Sequence, residues 1–199
     1  MKHWNKNKTV AGIDEAGRGP LAGPVVVAAV ILNPSIKIEG LNDSKKISEK
    51  KREEIFEIIK KSAIDWNVQI ISAKKIDEIN ILQATFLGME RAVENLKIKP
   101  EICLIDGNKL PEKLKFFAQA IIKGDSKFAS MAAASILAKV TRDKIMRELH
   151  EKFPKYNFMK NKGYPTREHL EAIWKHGIIS QHRKSYKPVR EVINKKKQR

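Results

Sequence analysis

Apolar residues recur along this chain in short runs that alternate with longer stripes of helical spacing. Residues 9–13 form a brief apolar run that ends on two carboxylates, Asp14 and Glu15, and predict a buried strand. Gly17, Gly19, Pro20 and Gly23 punctuate a loop behind it. Residues 25–32, rich in valine, predict a second strand, the hairpin partner of the first, which Asn33-Pro34 ends. Residues 48–62 predict a helix. Ser48 is a good N-cap, Glu49 suits the first turn, and Ile55, Phe56, Ile58 and Ile59 form the apolar stripe.

Residues 66–72 alternate as a strand, and residues 84–96 predict a helix with Phe86, Leu87, Met89 and Val93 inward. Residues 102–105, between Pro100 and Asp106-Gly107-Asn108, predict another buried strand, and residues 117–122 the last one. Residues 126–153 predict a long helix with Leu137, Thr141, Ile145 and Leu149 in one row. Ala132, Ala133, Ala134 and Ser135 let its backbone approach a neighbour, and Pro154 stops it. Residues 166–176 predict a further helix, with Pro165 before it and Gly177 at its end, and residues 193–199 a frayed tail. This mixture predicts an α/β fold: a sheet with some antiparallel strands, flanked by helices, and a helical, basic C-terminal extension. Residues 1–153 form the expected core. Residues 154–199 form the extension, within the same compact unit.

Charge changes the picture. The 199 residues carry 40 Lys and Arg against 23 Asp and Glu, a net +17. Residues 151–199 hold 14 Lys and Arg against 4 Glu, so that segment alone supplies +10. Such an excess selects polyanions, because lysine and arginine neutralise phosphates and release counterions. The single cysteine, Cys103, excludes an internal disulfide and suits a reducing compartment. Residues 1–8 are polar, without the apolar region of a signal peptide. The longest apolar run, residues 20–32, falls short of the ~20 residues that span a bilayer and holds Pro and Gly. The expectation is a cytoplasmic monomer with no membrane partner.

Four carboxylates stand out against that charge. Asp14 and Glu15 lie at the end of the first strand, Asp106 at the end of a later one, and Asp125 at the predicted start of the long helix. Taken singly, Asp125 fits an N-cap and Asp106-Gly107 a turn. Consecutive acids at the end of an apolar strand have no such plain structural use. Sites in open α/β sheets gather outside strand ends, so these segments can converge. Converging carboxylates repel, and a hard divalent cation removes that penalty. Oxygen ligands favour Mg²⁺ or Mn²⁺ over Zn²⁺, and two such ions suit phosphoryl transfer. His169, His176 and His182, spaced by seven and six, fit no compact zinc motif.

Gly17-Arg18-Gly19 allows backbone N–H groups to approach a phosphate or sugar. Lys162-Gly163-Tyr164-Pro165 offers a tyrosine on a tight turn, either a helix lead-in or a stacking surface. Asp43-Ser44-Lys45-Lys46 is a solvated loop or a phosphate clamp. At this level a nuclease acting on DNA alone fits the residues too. A mere binding module has no use for acids that face phosphates.

The chain resembles the type 2 ribonucleases H, the bacterial ribonuclease HII group among them. The resemblance is carried, in order along almost the whole chain, by Gly12-Ile13-Asp14-Glu15-Ala16-Gly17-Arg18-Gly19-Pro20, Asp43-Ser44-Lys45-Lys46, Ile105-Asp106-Gly107-Asn108 and Lys123-Gly124-Asp125-Ser126. Ala133-Ala134-Ser135-Ile136-Leu137-Ala138-Lys139-Val140-Thr141-Arg142-Asp143 and Lys162-Gly163-Tyr164-Pro165-Thr166, with His169, continue it, and it ends near His182-Arg183. It implies a ribonuclease H-like mixed sheet with a helical extension. It implies that Asp14, Glu15, Asp106 and Asp125 are the metal-binding catalytic set for Mn²⁺ or Mg²⁺, two ions during catalysis. By the same resemblance Gly17, Arg18 and Gly19 read the 2′-OH, Tyr164 stacks on the adjoining deoxyribose and Lys45 meets a phosphate. The implied substrates are RNA–DNA hybrids and DNA duplexes with embedded ribonucleotides. Asn161 departs from the pattern, where histidine is often found.

Overall fold

A computed structural model describes residues 1–5, 7–42, 44 and 47–197, without the side chains of residues 196 and 197. Lys45, the expected phosphate contact, lies outside the described residues. The chain divides into two compact units. The first holds Met1–Ala16, Val26–Ile70 and Thr85–Val140; the second holds Gly17–Val25, Ile71–Ala84 and Thr141–Arg199.

The first unit is built on a five-stranded sheet. Its strands are β1 (Val10–Ala16), β2 (Val25–Leu32), β3 (Ala63–Ile71), β4 (Ile102–Asp106) and β5 (Ala118–Ile121), in spatial order β3-β2-β1-β4-β5. β1 and β2 pair antiparallel, with Asp14 opposite Ala28, while β1–β4 and β4–β5 are parallel. Every residue of β2 is buried, as its unbroken apolar sequence requires. Side chains alternate between faces along a strand. Ala11 and Ile13 of β1 therefore join Val27, Ala29, Ile31, Cys103 and Ile105 in one core. Met89, Ala92, Val93 and Leu96 complete it.

The other face meets α3 (Ala129–Lys152), whose first turns are nearly all small residues. A Cβ at Gly12 would lie 2.2 Å from the carbonyl carbon of Ser130, so only glycine permits this approach. Asp14, two residues on, sits on the face of β1 that Gly12 turns to the helix.

The helices follow local signals with three departures. α1 (Glu49–Ser62) begins where Ser48 accepts a hydrogen bond from the Lys51 N–H, and buries Ile55, Phe56 and Ile59. α2 (Ala73–Glu94) starts well before the expected residue 84, because Asn80 (φ 64) joins two helical stretches across a kink. The Asn80 side chain accepts from the N–H groups of Leu82 and Gln83, capping the second stretch. Asp125 does not open α3; it lies in a 3₁₀ turn over Gly124–Ser126, and the helix begins at Ala129.

The second unit packs α4 (Phe158–Asn161), α5 (Arg167–His176) and α6 (Lys187–Lys197) with the end of α3. Leu21, Ala22, Met146, Tyr156, Phe158, Ile173, Val189 and Val192 form its core. The expected frayed tail is helical through Lys197, because Val189 and Val192 anchor α6 in that core. No helix among the described residues is long and apolar enough to cross a membrane.

Candidate active site

Three of the expected carboxylates meet in the first unit. Asp14 is 6% exposed, and its carboxyl pKa stands well above the ordinary range. Burial is the main cause, followed by the charges of Glu15 and Asp106. Ser135 of α3 donates a hydrogen bond that works in the opposite direction. The Asp14 Oδ1 also accepts the backbone N–H of Glu15 at 2.7 Å. The fourth carboxylate is tied in through backbone. Gly124 N–H donates to Asp106 Oδ1 at 2.8 Å, and the buried Asp125 follows it in the same 3₁₀ turn.

Ser135 looks, in sequence, like one more small residue in an alanine run. Its single hydroxyl proton goes to Asp14. Ser44 Oγ, 2.9 Å away, is therefore the donor in the pair between the two serines. The resulting chain, Ser44 to Ser135 to Asp14, fixes the carboxyl's orientation. A hydroxyl interrupting an otherwise apolar helix face was the available signal.

These donors are all oxygen and carry like charges in a buried setting. That combination fits a hard divalent cation, which would offset both the burial and the neighbouring charges that lift Asp14. Among the described residues, no group of three or more His, Cys, Asp or Glu side chains is already arranged as a metal cage.

The second unit holds the expected sugar-reading residues. Gly17 is buried with φ +100, and a Cβ there would lie 2.1 Å from Arg142 Nε. Arg18 and Gly19 are exposed. The nearest atoms to a Cβ at Gly19 belong to the Tyr164 ring, at 3.4 Å, so the structure brings those two residues together. Tyr164 is 46% exposed on a turn with left-handed Lys162 (φ 48) and Gly163 (φ 83).

Asn161 holds that turn. Its Nδ2 donates to Tyr156 O at 2.7 Å, its Oδ1 accepts from Gly163 N–H at 2.7 Å, and its own carbonyl accepts from Tyr164 N–H at 2.9 Å. An amide supplies donor and acceptor at once, which explains how Asn161 serves here.

His169 and His182 are structural. Ile179 N–H donates to His182 Nδ1 at 3.0 Å, so the proton of a neutral His182 sits on Nε2. That nitrogen lies 3.2 Å from His169 Nε2 and donates to it. The proton of His169 is then on Nδ1, which donates to Tyr164 O at 2.9 Å. Burial lowers the pKa of both rings, that of His182 to about 4, so both are neutral at pH 7. No spacing rule would have paired them.

Solved structures share this architecture. The ribonuclease H2 from Pyrococcus horikoshii OT3 superposes with a TM-score of 0.80 at 28% identity, covering 96% of this chain and 100% of that one. Bst-RNase HIII in complex with Mn²⁺ gives 0.75 at 19% identity over 96% of this chain and 71% of its own. With its mixed sheet and flanking helices, the protein is an α/β enzyme of the ribonuclease H-like class.

The sequence narrows this further. The Ribonuclease HII family model matches residues 11–189. The Ribonuclease HII of Vibrio campbellii is 56% identical over 184 residues, covering 92% of this chain and 86% of that protein. The chain belongs to the ribonuclease HII family and is a ribonuclease H.

Proposed function

We propose that this protein hydrolyses the RNA strand of RNA–DNA hybrids and cuts on the 5′ side of ribonucleotides embedded in duplex DNA. The products are a 3′-hydroxyl and a 5′-phosphate. The observation that carries the reading is the Asp14 carboxyl, buried beside the like charges of Glu15 and Asp106 in a protein whose net charge is +17. A binder of phosphates gains nothing from buried like-charged acids. An enzyme that holds cations between acids and phosphate does.

Asp14, Glu15, Asp106 and Asp125 hold Mg²⁺ or Mn²⁺ in this reading. Two ions held by these residues would supply Lewis acidity and charge neutralisation at the scissile phosphate. The chain's own residues do the rest. Ser135 keeps Asp14 turned and favours its ionised form. The Gly124 N–H holds Asp106 in one rotation. Backbone N–H groups of Gly17, Arg18 and Gly19 select the 2′-OH, the group that separates RNA from DNA. Tyr164 stacks on the neighbouring deoxyribose, and Lys45 meets a phosphate. The enzyme works as a cytoplasmic monomer in ribonucleotide removal and RNA primer removal. A reducing setting suits its one thiol, buried Cys103.

Asp14→Asn tests the assignment. Cleavage should fall roughly 10²-fold or more, since several kcal/mol of charge stabilisation at the reacting phosphate is lost. Hybrid affinity, measured by fluorescence anisotropy, should stay within a few-fold. Cleavage by the variant at the wild-type rate would remove the four carboxylates from the mechanism.

A further inference from the structure

Arg183 is completely buried in the second unit, and each of its five N–H groups has an acceptor. Nε and one Nη2 proton reach Gly23 O at 3.0 and 2.9 Å. Nη2 also reaches Gly17 O at 2.6 Å. Nη1 reaches Arg18 O at 2.9 Å and the Tyr186 hydroxyl at 3.0 Å. That hydroxyl in turn donates to Arg18 O at 2.6 Å. No acceptor in this set is a carboxylate, so the guanidinium serves backbone carbonyls and one phenol. A second buried guanidinium braces the same loop. Arg142 donates from Nε to Pro24 O at 3.1 Å, and from Nη2 to Ala22 O at 3.3 Å and Lys162 O at 3.0 Å.

Peptide planarity turns these contacts into a statement about the opposite side of the loop. The described peptide bonds include no cis bond. In a trans peptide the carbonyl and the following N–H point in opposite directions. With Gly17 O drawn onto Arg183, the N–H of Arg18 points away from it. With Arg18 O drawn onto Arg183, the N–H of Gly19 does the same. Two successive N–H groups, on the two exposed residues of the loop, thus point away from the guanidinium, and the Tyr164 ring is the nearest group to where a Cβ of Gly19 would stand. Successive N–H groups of this kind form a small cup for an oxygen acceptor.

We propose that Arg183 is the positioning residue of the substrate-reading loop, with Tyr186 as its helper. It presets the N–H groups of Arg18 and Gly19 to receive the 2′-OH oxygen of the substrate. This rests on the reading that residues 17–19 meet the substrate. Preorganisation is the useful property here, because a loop that must order on binding loses affinity in doing so. Lysine cannot replace arginine, since three donors on a point charge cannot reproduce a planar five-donor fork.

The test uses the full chain with Arg183→Lys and Tyr186→Phe. KM and kcat are measured on a DNA duplex with one ribonucleotide. The Kd ratio between that duplex and its all-DNA counterpart is measured in Ca²⁺. Arg183→Lys should raise KM roughly tenfold and bring the Kd ratio towards one, with kcat changed far less. Tyr186→Phe should move both in the same direction by a smaller factor. A merely structural role would instead lower the active fraction, and with it kcat, at constant KM. Wild-type KM and Kd ratio in both variants would overturn the proposal. If Arg183→Lys does not fold, an unchanged ratio in Tyr186→Phe overturns it alone. If wild-type protein itself fails to distinguish the two duplexes, the loop's reading of the sugar falls, and this inference with it. That result is separate from variants that keep a wild-type preference.

Discussion

Gly17 and Gly19 flank the same arginine yet face different constraints. Gly17 combines φ +100 with a space already filled by Arg142 Nε, 2.1 Å from where a Cβ would be. Gly19 has no such conformation, and its Cβ would make ordinary contact with the Tyr164 ring. Gly17→Ala should therefore cost at least about 1–2 kcal/mol from backbone conformation alone, before the displacement of Arg142. A chain of this size loses about 2–4 °C in Tm per kcal/mol. Gly19→Ala should leave Tm almost unchanged while raising KM on ribonucleotide-containing duplex, because in the proposed reading its methyl would face the substrate. Differential scanning calorimetry of the pair decides it, and equal losses in Tm would contradict the assignment. Much of this residue scale was legible in the sequence. Asp14 and Glu15 stand out because consecutive acids at the end of an apolar strand have no plain structural use, whereas Asp106, Gly17 and Tyr164 each fit a turn or loop and are singled out by the resemblance. Arg183, Ser135 and Asn161 were not legible in those roles, because what they do depends on carbonyls and carboxyls distant in sequence.

At the scale of elements, the buried imidazole pair links the loop after His176 to the turn that carries Tyr164. His182 has a folded pKa of about 4 against an unfolded value near 6.5. The unfolded chain therefore binds the proton first as pH falls. The stability due to neutral His182 is complete above pH 6.5 and is lost progressively down to about pH 4, by about 3 kcal/mol. His169 is shifted in the same direction and adds to the slope. Calorimetry in EDTA between pH 7.5 and 4.5 should show a steeper fall in Tm for wild type than for His182→Asn, and parallel curves would refute it. The elements themselves were mostly readable from period and end signals, as with Ser48 before α1 and Gly177 after α5. The misses share a cause. Asn80 at φ 64, the 3₁₀ turn around Asp125 and the anchored α6 depend on tertiary packing that outweighs local preference.

The whole molecule sets acids within a strongly basic chain. Residues 151–199 alone carry 14 Lys and Arg, and the four acids lie on β1, β4 and the turn after β5. The basic excess draws in nucleic acid of any kind through counterion release, and so gives no preference for ribose. In the proposed function, preference comes from the exposed loop at Arg18 and Gly19, and chemistry from the acids. The most direct measurement compares a DNA duplex bearing one ribonucleotide with the same duplex made wholly of DNA, in Mg²⁺, in Mn²⁺ and in EDTA. A single incision on the 5′ side of the ribonucleotide, with 3′-hydroxyl and 5′-phosphate ends, is expected only when metal is present. Equal cutting of both duplexes, or cutting that survives EDTA, would contradict it.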